Sequence, residues 1–136
     1  AFGVLIDDAG DDTYWGMTAA DQGSAWDIAA GCLLDKSGND SYEANGMTQG
    51  SAAQQAIAYL IDLEGVDTYT GSHPSQGESG SNTYHWDATH AFSFSALLDF
   101  GGGDDSYSLE RKNNSTETTQ PNPEPEGSGF GLFIDR

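Results

Sequence analysis

Positively charged residues, cysteines and long hydrophobic runs are all scarce in this chain. Its 136 residues include four Lys and Arg against 22 Asp and Glu, so the formal net charge is −18. Such a chain repels phosphate backbones, and we therefore expect no nucleic-acid partner. No stretch reaches the ~18 apolar residues of a membrane span, so we expect no membrane insertion. The single cysteine, Cys32, excludes internal disulfides, which leaves cations as the obvious stabilising agents.

The composition nevertheless differs from that of a disordered acidic tail. Asp outnumbers Glu by 15 to 7, the chain contains 18 Gly, and aromatic residues make up 11%. Short carboxylates beside glycines are typical of tight turns in a folded chain. The sequence opens at Ala1 in the middle of a pattern, so we expect it to be an excerpt of a longer polypeptide.

One phrase recurs along the chain: an apolar residue, then Asp-x-x-Gly-x-Asp, then Ser or Thr, then Tyr. Successive tyrosines are 28 and 27 residues apart, and a Gln-Gly marker recurs every 27 residues. Two independent markers therefore share one period, which is typical of repeat proteins. The phrase occupies residues 6–14, 34–42, 61–69 and 98–107, and it begins again near the C-terminus.

Two intervals interrupt the period. Tyr69 and Tyr107 are 38 residues apart, which predicts a loop insertion at about residues 77–88. Residues 108–128 are rich in Ser, Thr, Asn, Pro and Glu, which indicates an exposed excursion rather than a strand. Residues 1–136 are expected to form one repeat domain, from which these two insertions project.

The five or six apolar residues before each phrase predict the fold. Such a run is too short for a typical helix and fits a strand that is buried on both faces. We therefore predict a mainly β fold, a parallel β-solenoid of about four to five coils of about 27 residues each. A helical repeat is the alternative, because residues 51–62 contain good helix formers.

Stacking these coils places aspartates in two columns, on either side of each glycine turn. Like charges about 5 Å apart repel by about 3 kcal/mol at an effective dielectric constant near 20. Lys36 is the only cationic side chain in the four turns, so bound metal or capping of turn amides must offset the repulsion. The columns are Asp7, Asp35, Asp62 and Asp99, and Asp12, Asp40, Asp67 and Asp105.

Calcium is the metal that suits these turns, because it binds carboxylate and carbonyl oxygens, whereas zinc and copper prefer Cys and His. The blocks AGDDTY, SGNDSY and GGGDDSY resemble the calcium-binding nonapeptides of repeats-in-toxin β-roll proteins. The resemblance covers about nine residues in each 27. It implies a secreted protein whose Gly-x-Asp turns hold calcium between coils, here at Gly10 and Asp12, Gly38 and Asp40, Gly65 and Asp67, and Gly103 and Asp105.

The sequence therefore favours a calcium-stabilised structural or adhesive segment at the cell surface or outside the cell, a rigid spacer or fibre element rather than an enzyme. Further coils or another copy could extend it end to end. Two alternatives stay open. One is a carbohydrate-binding module that uses the tyrosines with Trp15, Trp26 and Trp86. The other is a hydrolase that uses histidines in and beside the first insertion, namely His73, His85 and His90.

Overall fold

The computed structural model describes residues 1–120 and 124–136 and confirms a mainly β fold with parallel sheets. One short helix, α1 (Trp86–Thr89), accompanies twelve strands in these residues. The strands are β1 (Phe2–Ile6), β2 (Thr13–Gly16), β3 (Ala25–Trp26), β4 (Ala30–Asp35), β5 (Ser41–Ala44), β6 (Ala52–Ala53), β7 (Ile57–Asp62), β8 (Thr68–Thr70), β9 (Ser93–Asp99), β10 (Ser106–Tyr107), β11 (Thr116–Thr118) and β12 (Gly129–Asp135).

Three sheets are built from these strands. The large sheet has the order β1-β4-β7-β9-β12-β11, and all of its pairs are parallel except β11 with β12. The second, here called the tyrosine sheet, has the order β10-β8-β5-β2. The third is the short pair of β3 and β6. Consecutive repeats therefore lie next to each other in every sheet.

The register of the large sheet pairs equivalent residues of neighbouring repeats. Asp35 lies opposite Asp62, Asp62 opposite Asp99, and Asp99 opposite Asp135. The predicted in-register column of strand-end aspartates is therefore confirmed for Asp35, Asp62 and Asp99. The sequence could define this register because equivalent positions keep the same size class from repeat to repeat.

The core lies between the large sheet and the tyrosine sheet. The large sheet contributes Leu33, Leu60, Leu97 and Phe133, which pack against the buried rings of Tyr42 and Tyr69. The four tyrosine rings of the tyrosine sheet are stacked, with centroids 4.7 to 4.9 Å apart. Stacked aromatic neighbours on adjacent strands stabilise a sheet, so this column both fills the core and fixes the spacing of the repeats.

The structure differs from three sequence-based expectations about the segments between the strands. Within residues 51–62 the chain forms β6 and β7 and no helix, so the helical alternative is wrong for this segment. Ser79 still bridges to Ala52, and Gln55 still contacts Asn82, so the first insertion begins after residue 82 rather than at 77. Residues 108–128 contain a strand, β11, which pairs with β12; residues 121–123 of that predicted excursion lie outside the described residues.

The large sheet is not buried on both faces, and that expectation is also wrong. Its inward side chains contact the tyrosine sheet, but Ile57 and Phe130 on the opposite face are exposed. Every residue of the edge strand β1 is exposed. The apolar run arose from one core-facing side and one apolar outer side, which periodicity alone cannot separate from double burial.

In the part of the chain that the structure describes, no helix has the length and apolar character needed to cross a membrane.

Candidate metal centre

The strands β4, β7 and β9 each end in an aspartate that caps the tight turn after it. Oδ1 of Asp62 accepts the backbone N–H of Glu64 at 3.2 Å, two residues ahead. Asp35 and Asp99 do the same for Ser37 and Gly101, also at 3.2 Å. The amide-capping role considered for these carboxylates is thus present in the structure, and it engages one oxygen of each.

The second oxygen of each strand-end aspartate accepts a tyrosine hydroxyl from the preceding repeat. Tyr14 donates to Asp35 Oδ2 at 2.5 Å, and Tyr42 donates to Asp62 Oδ2 at 2.6 Å. Tyr69 donates to Asp99 Oδ2 at 3.0 Å, and Tyr107 donates to Asp135 Oδ2 at 2.8 Å. The hydroxyl of Tyr107 also lies 2.8 Å from Oδ2 of Asp99 in its own repeat, so its one hydrogen is shared between two carboxylates. Burial and the nearby carboxylates raise the pKa of Tyr42, so its phenol stays protonated and serves as a donor.

The turn aspartates, which follow the glycine of each turn, connect adjacent repeats differently. Oδ1 of Asp40 accepts the backbone N–H of Asp12 at 2.6 Å, Oδ1 of Asp67 accepts that of Asp40 at 2.7 Å, and Oδ1 of Asp105 accepts that of Asp67 at 2.7 Å. Each turn is therefore tied to the next repeat by a carboxylate.

The remaining oxygens of these turn aspartates have no partner. Oδ2 of Asp40, Asp67 and Asp105 is buried and makes no hydrogen bond. The three residues are 3%, 1% and 7% exposed, so water does not solvate them freely. A buried carboxylate oxygen without a partner is costly, and it requires a cation, a proton or an ordered donor.

The unpartnered carboxylates belong to three buried triads. In each triad one carboxylate oxygen per residue lies within 4.8 Å of the others. Asp62 is a member of the first two triads and Asp99 of the last two, so the triads form a continuous row across the repeats. They are Asp35 with Asp40 and Asp62, Asp62 with Asp67 and Asp99, and Asp99 with Asp105 and Asp135.

The electrostatics of the triads disfavour three bare carboxylates. Two unit charges 4.8 Å apart repel by about 3 kcal/mol at an effective dielectric constant near 20. Burial, together with the neighbouring aspartates, raises the pKa of Asp40 to about 6, of Asp62 to about 7 and of Asp67 to about 8. The same causes raise the pKa of Asp105 to about 6. The row is therefore a place where positive charge is strongly favoured.

Cations from the chain do not supply that charge. Lys36 contacts Asp8, and both side chains lie on the surface. Arg111 binds Glu78 at 2.7 Å instead. Among the described residues, no ion pair of Lys, Arg or His involves a member of a triad. The triads could consequently hold a metal ion, as the buried carboxylate clusters indicate.

The turn glycines allow the repeats to approach closely. A Cβ at Gly38 would lie 1.6 Å from the carbonyl oxygen of Gly10, and one at Gly65 would lie 2.0 Å from that of Gly38. No side chain fits at such distances, so the close stacking that gathers the carboxylates requires glycine. That Gly10, Gly38, Gly65 and Gly103 contribute metal ligands stays a prediction.

Most of the predicted aspartates come together, and two do not. Asp35, Asp40, Asp62, Asp67, Asp99 and Asp105 all belong to the triads, whereas Asp7 and Asp12 belong to no such triad in the described residues. These two lie in the first repeat, whose strand β1 is at the edge of the sheet. Sequence reasoning left out Asp135, although the recurrence of an apolar run before Asp at the C-terminus placed it in the same column.

Two histidines of the hydrolase alternative contact different carboxylates, and the ring of His90 lies 5.3 Å from that of Trp86. His85 Nε2 lies 2.6 Å from Asp27 Oδ1, and His73 Nδ1 lies 2.7 Å from Glu78 Oε2. No metal-ligating group in the described residues contains a histidine. Trp15 and Trp26 are exposed at 67% and 41%. The carbohydrate-binding and hydrolase alternatives stay predictions, and no contact described here favours either.

Comparison of the chain with models of protein families, with curated proteins and with solved structures finds no match.

Proposed function

We propose that this chain is a segment of a β-solenoid whose coils are held together by a row of calcium ions, and that its role is structural rather than catalytic. The observation that carries the proposal is the unpartnered, buried Oδ2 of Asp40, Asp67 and Asp105 within three carboxylate triads. The in-register pairing of equivalent residues along the large and tyrosine sheets supports the solenoid.

The charge of the row supports divalent ions. Seven aspartates form the three triads and carry seven negative charges when ionised. Three divalent ions would leave a net charge near −1, so the mutual repulsion would be almost fully offset. Because Asp62 and Asp99 each belong to two triads, each ion would also connect neighbouring coils.

The donor set favours calcium among the divalent ions. The triads offer carboxylate oxygens only, with no thiolate or imidazole, which is unfavourable for zinc and copper. Calcium accepts irregular arrangements of six to eight oxygens, whereas magnesium demands a near-ideal octahedron and retains water. Buried carboxylates that are already fixed by amide and tyrosine donors suit the less demanding ion.

A structural role outside the cell follows from the coupling of metal binding to folding. Calcium that binds the folded turns and not the unfolded chain stabilises the fold by mass action. At a free concentration of 100 times its dissociation constant, each ion contributes about 2.7 kcal/mol. Extracellular calcium would keep the rod rigid, and the calcium-poor cytosol would leave it loose. The protein would thus act as a spacer, an adhesive segment or an element of a fibre.

Calorimetric titration of the chelated protein with calcium tests this proposal. We expect about three ions per chain, a rise in melting temperature, and a much smaller response to magnesium. Asp40→Asn removes a carboxylate that no hydrogen-bond donor reaches at Oδ2, so it should lower the number of ions bound. The matched control is Asp104→Asn, which makes the same change of charge at an exposed residue of another turn and should titrate like the wild type.

The proposal is wrong if the chelated protein takes up no calcium and its melting temperature is unchanged by calcium. Equal loss of binding in Asp40→Asn and Asp104→Asn would also contradict it, because general surface attraction would then explain the binding.

A further inference from the structure

On the five parallel strands β1, β4, β7, β9 and β12, the face of the large sheet that points away from the tyrosine sheet is apolar; on the edge strand β11 the same face carries Thr116 and Thr118, which lie opposite Ile134 and Leu132. We call it the outer face. It consists of three columns that alternate with the core-facing residues along the strands, and none of its side chains is charged. The columns are Phe2, Ala30, Ile57, Phe94 and Phe130; Val4, Cys32, Tyr59, Ala96 and Leu132; and Ile6, Leu34, Ile61, Leu98 and Ile134.

The outer face is partly accessible: Ala96 in its middle column is buried, and most of its other side chains on β4, β7, β9 and β12 are half-buried. Phe2 is 79% exposed, Ile57 is 46% exposed and Phe130 is 37% exposed. The next outward residues along β7 and β9, Leu63 and Phe100, are also apolar and exposed, so the face extends beyond the strand ends. Soluble monomers rarely expose a continuous apolar patch larger than a few hundred Å², and such patches commonly mark interfaces.

The size of the face fits a small protein–protein interface. Five strands about 4.8 Å apart, each of five to seven residues at about 3.3 Å per residue, cover roughly 490 Å². Two such faces pressed together would bury about 1,000 Å² in total, at the lower limit for a biological interface. The expected complex is therefore weak and dependent on concentration.

Charge is distributed so that two copies could meet here. The chain carries −18 overall, but the outer face carries none of this charge. The charged residues in the column bordering the face are Asp8, Lys36 and Arg136, and Lys36 contacts Asp8. Two of the four cationic residues of the chain, Lys36 and Arg136, thus lie beside the face.

We propose that a second copy of this chain covers the outer face, with the two large sheets packed face to face about 10 Å apart, as in a β-sandwich. Both copies present the same flat, uncharged, apolar columns, so neither has to bury a charge. The face contains no acidic side chains, so it has nothing that would attract a basic partner. The interface would join two rods side by side and leave their ends free.

Sedimentation analysis over a range of protein concentrations tests the proposal in calcium-containing buffer. We expect a monomer–dimer equilibrium with a dissociation constant of about 10 to 100 μM. Raising the salt concentration should strengthen the dimer, because it screens repulsion between acidic copies without weakening apolar contact. Ile57→Lys and Phe130→Lys should each raise the dissociation constant at least tenfold by burying a charge. Val66→Lys is the matched control, since Val66 is 54% exposed in a turn off the face, and it should dimerise normally.

A second measurement uses the native chain and does not depend on how the variants fold. Cys32, the single cysteine, lies in the middle column of the outer face and is half-buried. The alkylation rate of Cys32 should fall as the protein concentration rises past the dissociation constant, because the dimer covers the thiol. In folded Ile57→Lys the rate should fall less, because less dimer forms.

Three results would overturn the inference. The wild type could sediment as a monomer at all concentrations up to about 0.5 mM, well above the expected dissociation constant. A dimer could form that neither face substitution weakens and that leaves Cys32 equally reactive, so that association uses another surface. A monomer that binds neutral phosphatidylcholine vesicles through this face would identify lipid as the occupant instead. None of these results depends on whether the triads bind calcium.

Discussion

Replacing Asp67 by Asn should stabilise the protein when calcium is absent and weaken it when calcium is present. Asp67 lies in the middle triad, 1% exposed, with Asp62 and Asp99 as its neighbours. Its Oδ1 accepts the backbone N–H of Asp40 at 2.7 Å, which an asparagine oxygen can also do. Its Oδ2 has no partner, so an amide nitrogen there interrupts no hydrogen bond.

The expected size of the effect follows from the pKa of Asp67. Burial raises this pKa from 3.8 to about 8, and each pKa unit corresponds to about 1.4 kcal/mol. At pH 8 the buried carboxyl group therefore lowers the free energy of unfolding by up to about 5 kcal/mol. A buried amide still loses hydration, so we expect Asn to recover about half, roughly 2 to 3 kcal/mol. For a chain of this length the melting temperature should rise by roughly 10 °C.

Urea unfolding at pH 8 measures this directly, once with a chelator and once with millimolar calcium. In chelator, Asp67→Asn should be more stable than the wild type; in calcium, the order should reverse because a ligand is missing. Asp104→Asn should stay within about 0.5 kcal/mol of the wild type in both buffers. If Asp67→Asn is no more stable than the wild type in chelator, carboxylate repulsion in the triads is refuted as a cost to the fold.

Three further predictions address the same row. Without calcium, the free energy of unfolding should fall as the pH rises from 5 to 8, because the raised carboxyl pKa values make the folded state bind more protons than the unfolded state. Calcium should flatten or reverse this slope. A metal-free protein that gains stability over this range would contradict the prediction. Tyr42→Phe removes the donor to Asp62 and should cost about 1 to 3 kcal/mol in urea unfolding, whereas Tyr59→Phe on the outer face should cost little; equal effects would refute the role of the hydroxyl. Gly38→Ala should cost at least about 3 kcal/mol because its Cβ meets a backbone oxygen, while a Cβ in Gly3→Ala meets nothing within 4 Å; a stable Gly38→Ala would show that the turns can separate.

The sequence contained enough information to predict which residues stack. Equivalent positions keep their size class from repeat to repeat, and parallel strands in register place like residues on like, as Asp62 opposite Asp99 shows. The inclusion of Asp135 could also have been predicted, because it ends the same apolar run in the last repeat. Periodicity is sufficient here because each repeat depends chiefly on its neighbours.

Contacts between side chains of different columns could not be predicted from the 27-residue repeat. The recurrence of tyrosine does not reveal that Tyr42 donates to the strand-end Asp62 of the next repeat, across the core. The exclusion of Asp12 from the triads comes from its place in the edge repeat. The strand β11 carries few apolar residues, and it forms because the edge of β12 offers backbone partners. A continuous apolar run also conceals which side of a strand faces solvent.

A crystal structure of the protein grown with calcium is the most direct measurement of the central claim. The account predicts a row of three ions along the strand-end and turn aspartates, each 2.3 to 2.6 Å from carboxylate oxygens of two adjacent repeats. Carboxyl groups that instead share protons, with oxygens about 2.5 to 2.7 Å apart and no ion between them, would contradict it.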